Sequence, residues 1–255
     1  MSRIEIVDAF ITTLNRERKL RIYLPENHDS VRCPVLYMHD GQNLFSDEDA
    51  AYGESWGVKA AADAYYRQHG KGLIIVGIDN GEIYRFDEYS PWISNKLKKY
   101  IPELGMDFAG GEGDKYLDWL VRELIPMINQ KYRTNHTNYL AGSSMGANIT
   151  LYAGIKYPGV FRKLGCLSPA FWFSLQEFAR LIKASALKDL EVYLDIGTKE
   201  SRMITNPELR HAKRIYRLLK KKDCKAELLI EKGALHRESA WKRRFPGFLS
   251  WLLDE

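Results

Sequence analysis

The stretch that decides the fold reads Asn138-Tyr139-Leu140-Ala141-Gly142-Ser143-Ser144-Met145-Gly146. Its first four residues predict a β-strand, and the small and apolar residues from Met145 onward predict a helix. A strand that turns into a helix at the pattern G-x-S-x-G is the setting of a nucleophile elbow. The turn is strained, so the positions two before and two after the serine must be small, as Gly142 and Gly146 are. We therefore predict Ser144 as a nucleophile; the alternative is an ordinary glycine-flanked turn.

Outward from this stretch, short apolar runs alternate with helical patterns, which favours a mostly parallel sheet with helices on both faces. The run Leu20–Leu24 predicts an early antiparallel strand. Further strands are predicted at Val35–Met38, Leu73–Ile78, Asn138–Ala141, Lys163–Leu167, Glu191–Ile196 and Ala226–Ile230. Helices are predicted at Trp56–Gln68, Asp114–Lys131, Met145–Lys156, Asn206–Lys221 and Trp241–Leu253.

No repeat or linker divides the 255 residues, so we interpret 1–255 as a single α/β domain. The segment 90–113 has no clear period and contains two prolines and four glycines. A loop of this length inside a compact domain is usually functional. We predict a lid or substrate loop there; the alternative is a surface loop packed away from the site.

The composition is that of an ordinary globular protein, with 45% hydrophobic and 28% charged residues. The net charge of +5 is spread along the chain, and the basic runs Lys220–Lys222 and Lys242–Arg244 lie on or beside predicted surface helices. They indicate solvated helix faces, not a nucleic-acid surface. The sequence contains no zinc-type Cys/His spacing and no phosphate-binding glycine loop, so we predict no metal and no nucleic-acid partner.

The first ten residues include Arg3, Glu5 and Asp8, which is unlike a signal peptide. No apolar run approaches the roughly 18 residues needed to span a bilayer, so we predict no membrane partner. The three isolated cysteines, Cys33, Cys166 and Cys224, are typical of buried free thiols. Together these features favour a cytoplasmic location.

A serine hydroxyl needs a base to take its proton, and in this kind of site the histidine comes last in the chain. His236 follows the last predicted strand and precedes the last predicted helix, which is the required position. None of the remaining histidines lies between the last predicted strand and the last predicted helix; they are His28, His39, His69, His136 and His211. We interpret His39 as a structural residue at a strand end.

The acid that orients the histidine should follow the strand at 191–196. Asp195 still belongs to that strand, whereas Glu200 lies in the loop after it, from which a side chain can reach the site. The pattern favours Glu200 and leaves Asp195 as the alternative.

Acyl transfer also needs donors for the oxyanion that develops on the substrate. One is expected to be the backbone N–H of Met145, the residue after the nucleophile. The second normally comes from the loop after the third strand, here His39-Asp40-Gly41-Gln42-Asn43-Leu44-Phe45, and we assign it to Gln42.

These motifs resemble the putative-esterase family, which includes esterase D-like, feruloyl and acetyl-xylan esterases and enterobactin-type siderophore esterases. The resemblance rests on 39–45, on Gly77-Ile78-Asp79-Asn80 with Arg85 and Glu88, on 142–146 and on 197–200, and it spans about Leu20 to Trp251. It implies an α/β-hydrolase fold, a Ser–acid–His triad and no cofactor. By the same resemblance Arg85 and Glu88 would touch substrate; the alternative is a buried ion pair that braces their loop.

We therefore expect a serine esterase that acts on a small-molecule carboxylic ester through an acyl-enzyme. Trp172, within Phe171-Trp172-Phe173, is a candidate for an apolar or aromatic acyl pocket; the alternative is core packing. A siderophore trilactone esterase would use the same mechanism, and an acyltransferase would require an acceptor that outcompetes water. A non-catalytic binding protein would have no reason to keep Ser144, Glu200 and His236 in matching positions.

Overall fold

A computed structural model describes residues 1–201 and 206–254. Within them the chain builds one sheet of eight strands in the spatial order β1-β2-β4-β3-β5-β6-β7-β8. The strands are β1 Arg3–Ile11, β2 Arg16–Leu24, β3 Cys33–His39, β4 Ile74–Ile78, β5 Thr134–Ser143, β6 Lys163–Leu167, β7 Glu191–Gly197 and β8 Lys225–Glu231. Strand β2 runs antiparallel to β1 and β4, and the six strands β3, β4, β5, β6, β7 and β8 run parallel to one another.

Helices cover both faces of this sheet. They are α1 Val58–His69, α2 Arg85–Glu88, α3 Leu97–Tyr100, α4 Gly113–Trp119, α5 Ile125–Lys131, α6 Met145–Lys156, α7 Leu175–Ala184, α8 Pro207–Lys220 and α9 Glu238–Leu253. A π-helical turn, Leu120–Leu124, joins α4 to α5. In the described part of the chain, no helix is both long enough and apolar enough to cross a membrane.

The core lies in two layers because the central strands are buried on both sides. In β3, Val35 and Tyr37 face one apolar cluster, whereas Leu36 and Met38 face the other. The first cluster includes residues of α4 to α8, and the second includes residues of α1 and α9. This arrangement confirms the predicted α/β class.

Four elements are not among those predicted from the sequence: the strand β1, the helix α7 and the one-turn helices α2 and α3. Strand β1 lies at the edge of the sheet, where Val7, Ala9 and Ile11 face the core while Ile4, Ile6 and Phe10 are exposed. Apolar residues on both faces obscure the alternation that would predict a half-buried strand. Helix α7 buries Leu175, Phe178, Ala179 and Ile182. That spacing is typical of an amphipathic helix, so the sequence did contain the signal for α7.

The parallel strands all point their carboxyl ends toward one edge of the sheet. The loops that leave β3, β5, β6, β7 and β8 therefore meet there. Side chains that are distant in sequence, such as Ser144 and Glu200, come from this shared edge.

Candidate active site

The turn between β5 and α6 holds Ser144 at φ 56° and ψ −118°, a backbone conformation that residues other than glycine rarely adopt. Its N–H donates to the carbonyl of Leu167 at 3.1 Å, and its own carbonyl accepts from the N–H groups of Asn148 at 3.3 Å and Ala170 at 3.1 Å. Such strain persists only where the surroundings over-determine it. These bonds tie the serine to β6 and to the first turn of α6.

The glycines on either side of Ser144 are required by close backbone approach. A Cβ atom on Gly142 would lie 2.7 Å from the carbonyl carbon of Gly146. A Cβ atom on Gly146 would lie 3.1 Å from the Cβ of His39 and 3.4 Å from Oδ2 of Asp40. The turn at Ser144 therefore packs directly on the end of β3.

His39 itself is buried at this contact. Its Nδ1 lies 2.9 Å from the hydroxyl of Tyr116, and burial lowers the pKa of His39 to about 3. A buried histidine that stays neutral packs as a polar core residue, in keeping with its interpretation as structural.

Glu200 lies beside the imidazole of His236. Its Oε2 is 3.1 Å from Nδ1 of His236, and its Oε1 accepts the N–H of Gly197 at 2.6 Å. The carboxylate is completely buried, whereas a third of the His236 side chain remains exposed. The ring of Trp241 lies edge-on to the imidazole at 5.1 Å.

Asp195, the other candidate acid, faces away from the imidazole toward α9. Its Oδ1 accepts the N–H of Ser168 at 3.0 Å, and its Oδ2 lies 3.1 Å from Nε of Arg244. Burial raises the pKa of Asp195 to about 7; the charge of Glu200 adds to the rise and Arg244 opposes it. The structure thus brings Glu200, and not Asp195, to His236.

The contact with Asp195 also corrects one sequence interpretation, because Arg244 is not on a solvated helix face. Its side chain is only 3% exposed. Trp241 and Phe248 lie three residues before it and four residues after it, on the same face of α9, and are buried with it. Arg243, one position earlier, points to solvent.

The loop after β3 forms a 3₁₀ turn at Gly41–Asn43, preceded by Asp40 in a left-handed conformation with φ 59° and ψ 48°. The N–H of Asn43 donates to the carbonyl of Asp40 at 2.9 Å. The side-chain Oε1 of Gln42 accepts the backbone N–H of Asn80 at 3.1 Å, which ties this loop to the one after β4. Met145 is the first residue of α6, so its N–H has no acceptor within the helix.

A buried ion pair fixes the conformation of Asp40. Arg85 donates from Nε to Oδ1 at 2.6 Å and from Nη2 to Oδ2 at 2.8 Å, and Asn80 donates to Oδ1 at 2.7 Å. Burial opposes the charge of Asp40, but the adjacent Arg85 and Asn80 lower its pKa overall. Sequence reasoning assigned no role to Asp40; the signal was an acid at the end of a buried strand in a chain with an arginine near the site.

Arg85 and Glu88 do not pair with each other. The side chain of Glu88 is completely buried, and its Oε1 accepts from Arg18 at 2.7 Å and from Arg16 at 3.0 Å. Both arginines lie on or at the start of β2, so Glu88 braces the loop after β4 against that strand. Arg85 braces the same loop against Asp40.

Trp172 is nearly buried, and its ring stacks on Tyr100 with centroids 4.5 Å apart and planes 13° apart. Tyr100 belongs to the segment 90–113, which also donates the hydroxyl of Ser94 to the carbonyl of Phe173 at 2.8 Å. The segment therefore packs on residues 172–173, which follow shortly after Ala170, the donor to Ser144.

Comparisons with known proteins show the family and the fold of the chain. The chain matches the model of the family described as "Putative esterase" over residues 11–252. It is 29% identical over 248 residues to an uncharacterized protein, YbbA of Bacillus subtilis (strain 168), with 92% of each chain covered.

Two solved structures are similar over nearly the whole chain. A ferulic acid esterase superposes with a TM-score of 0.75 at 16% identity, covering 99% of this chain and 98% of its own. The enterobactin esterase FES from Shigella flexneri, solved in the presence of enterobactin, gives a TM-score of 0.78 at 16% identity, covering 98% of this chain and 58% of its own. At these identities the likeness concerns the fold, which is that of an α/β hydrolase.

Proposed function

The chain belongs to the putative-esterase family, and from this premise we propose that it is a serine carboxylic-ester hydrolase that acts through an acyl-enzyme on a small or aromatic ester. The observation that carries the proposal is the 3.1 Å contact between Glu200 and Nδ1 of His236 at the sheet edge where β5 presents Ser144. A nucleophile, a base and an acid are the parts that acyl transfer requires.

In the proposed reaction, Nε2 of His236 takes the proton of the Ser144 hydroxyl while Oγ bonds to the ester carbonyl carbon. Glu200 holds the ring through Nδ1 and stabilises the imidazolium that forms. The tetrahedral intermediate collapses as the C–O bond to the alcohol breaks, and His236 returns the proton to the leaving alkoxide. Water then attacks the acyl-enzyme by the same route, releasing the acid and restoring Ser144.

The negative oxygen of the intermediate would be met by the backbone N–H groups of Met145 and Gln42. Met145 is favoured because it begins α6, whose positive dipole end also stabilises an anion. Gln42 is favoured because Asp40 and Asn80 pin its loop beside the turn at Ser144. Each such donor contributes roughly 3 kcal/mol of transition-state stabilisation.

Three further residues were candidates for binding substrate, and their surroundings separate them. Arg85 keeps a fifth of its side chain exposed beside Asp40, and we retain it as a contact for a polar part of the substrate. Trp172 is retained as part of the wall of an apolar acyl pocket, next to the loop 90–113, whose Tyr100 stacks on it. Glu88 has no exposed side-chain surface, so we assign it a bracing role instead.

A fluorophosphonate probe tests the nucleophile. Wild-type protein should be labelled on Ser144 and should hydrolyse simple esters, and Ser144→Ala should abolish both. The matched control is Ser143→Ala, because Ser143 is the adjacent, buried last residue of β5 and should leave labelling largely intact. A label on Ser143 in the wild-type protein would show that the elbow has another register.

An ester panel tests the substrate class. Acetyl, hydroxycinnamoyl and trilactone esters should be compared by kcat/KM, with and without added alcohol acceptors. We expect the small or aromatic esters to be turned over fastest and the acid to be the main product. A transferred acyl group as the main product would identify an acyltransferase, and a preference for the trilactone would identify a siderophore esterase.

For the location we propose the cytoplasm, where the three buried free thiols would remain reduced.

A further inference from the structure

One buried arginine, Arg244 on α9, gathers acidic side chains from the ends of β7 and β8. Its Nε lies 3.1 Å from Oδ2 of Asp195, and its Nη1 lies 3.1 Å from Oε2 of Glu231. Its Nη2 lies 3.7 Å from Oε1 of Glu200, the carboxylate oxygen that does not face His236. A single cation thus serves three carboxylates, one of which contacts the imidazole.

Ser168, at the end of β6, links this arginine to Glu200 by a second route. Its hydroxyl oxygen accepts from Nη2 of Arg244 at 2.7 Å and from Nε1 of Trp241 at 2.9 Å. A hydroxyl has two acceptor positions and one proton. Because both acceptor positions are used, the proton of Ser168 is directed to Oε1 of Glu200, which lies 2.5 Å away.

We infer that Arg244 and Ser168 are positioning residues for the pair formed by His236 and Glu200. They occupy one carboxylate oxygen of Glu200 with a directed hydrogen bond and a nearby cation. The other oxygen is thereby turned toward Nδ1 of His236. This inference rests on the proposed function, because it concerns the groups assigned there as base and acid.

The electrostatics of the cluster explain why a cation is needed at this place. Asp195 on β7 and Glu231 on β8 bring further negative charge close to Glu200, and like charges disfavour the ionised form of a carboxylate. Glu238, a buried acid that begins α9, adds negative charge near His236. Arg243 pairs with the other oxygen of Glu231, Oε1, at 3.0 Å. Among the residues that the structure describes, Arg244 is the cation that contacts both Asp195 and Glu200.

The titration of the His236 ring, followed by nitrogen-15 NMR, tests this inference together with the pH profile of ester hydrolysis. In Arg244→Met the midpoint should rise by about one pH unit, because loss of a nearby cation lets the coupled pair bind a proton more readily. The kcat at pH 7 should fall about tenfold to a hundredfold, with KM little changed. Ser168→Ala should move both quantities in the same directions by smaller amounts.

Two further variants separate charge from packing. Arg244→Lys keeps the cation and should return the midpoint close to the wild-type value. Arg243→Met removes a neighbouring arginine that is 56% exposed, and it should leave midpoint and kcat unchanged. If Arg244→Met does not fold, Ser168→Ala and Arg244→Gln, which also lacks the cation, carry the test.

Unchanged midpoints in Ser168→Ala and in whichever Arg244 variant lacks the cation would overturn the inference, even if the melting temperature fell. The NMR titration does not depend on turnover. Failure of wild-type protein to label on Ser144 would therefore refute the proposed function, while the midpoints would still decide the roles of Arg244 and Ser168.

Discussion

Asp40 and Asp195 are both buried aspartates at the carboxyl ends of parallel strands, and each faces an arginine, yet their pKa values shift in opposite directions. Arg85 donates two hydrogen bonds, of 2.6 and 2.8 Å, to the carboxylate of Asp40, and the pKa of Asp40 is lowered. Asp195 shares Arg244 with Glu200 and Glu231, and burial raises its pKa to about 7. Burial opposes the charge of both aspartates; Arg85 and Asn80 outweigh it at Asp40, whereas at Asp195 the shared Arg244 does not.

The two arrangements serve different parts of the proposed site. The pair of Asp40 and Arg85 holds a backbone conformation, the left-handed residue before the turn that contains Gln42. The cluster around Arg244 holds a side chain, the carboxylate of Glu200. We therefore expect substitutions in the pair of Asp40 and Arg85 to misplace the backbone N–H of Gln42. Substitutions in the Arg244 cluster should instead change proton binding by the pair of His236 and Glu200.

The largest expected effect separates the two acids of the Arg244 cluster. Glu200→Gln keeps the shape of the side chain but removes the charge that stabilises the imidazolium, so kcat should fall about 10³- to 10⁴-fold. Asp195→Asn, the matched change one contact further from His236, should cost less than about tenfold. Steady-state kinetics on one activated ester would measure both.

Equal losses in the two variants would contradict the assignment of Glu200 as the acid that acts on His236. A larger loss in Asp195→Asn would mean that the acid partner of His236 changes during the reaction.

The next effect concerns stability and its dependence on pH. The folded pKa of Asp195 lies above its unfolded value of about 3.9, so the folded state binds more protons between roughly pH 4 and 7 and stability falls as pH rises through that range. The stability of Asp195→Asn relative to wild type should therefore increase between pH 5 and 8. A change of about 2 kcal/mol would correspond to roughly 4–8 °C in melting temperature.

Asp40→Asn provides the opposite case. The folded pKa of Asp40 lies below its unfolded value, so its contribution is present at neutral pH and is lost as pH falls through the folded pKa. The variant should be less stable than wild type at pH 7, and the difference should shrink in acid. Melting curves from pH 3 to 9 that run parallel for all three proteins would refute the distinction between the two aspartates.

The turn at Ser144, the preference for Glu200 and the parallel strands could be predicted from the sequence, because each depends on residues that are close together in the chain. The turn at Ser144 follows from glycines two positions before and after it. The preference for Glu200 rested on its place in a loop, from which a side chain can reach the sheet edge, and Glu200 does contact His236. The parallel strands followed from short apolar runs alternating with helical patterns.

The rest depends on contacts between residues distant in sequence. Lys242, Arg243 and Arg244 look alike as a basic run, and only the helix face that Arg244 shares with Trp241 and Phe248 distinguishes it from the other two. The partners of Glu88 lie some seventy residues earlier, on or at the start of β2. The role of Ser168 depends on three groups that the fold brings together from β6, the loop after β7 and α9.

The smallest expected effect lies outside both charged clusters, at the stacked rings of Tyr100 and Trp172. An aromatic pair contributes about 1 kcal/mol beyond its buried area, so Tyr100→Ala should loosen the loop 90–113 without disturbing Ser144. The ratio of kcat/KM between a bulky aromatic ester and an acetyl ester should change roughly three- to tenfold, and labelling of Ser144 should persist. Tyr66→Ala, on α1 at the other face of the sheet, should leave the ratio unchanged. An equal loss for every ester in Tyr100→Ala would mean that the loop supports the fold in general and does not select the substrate.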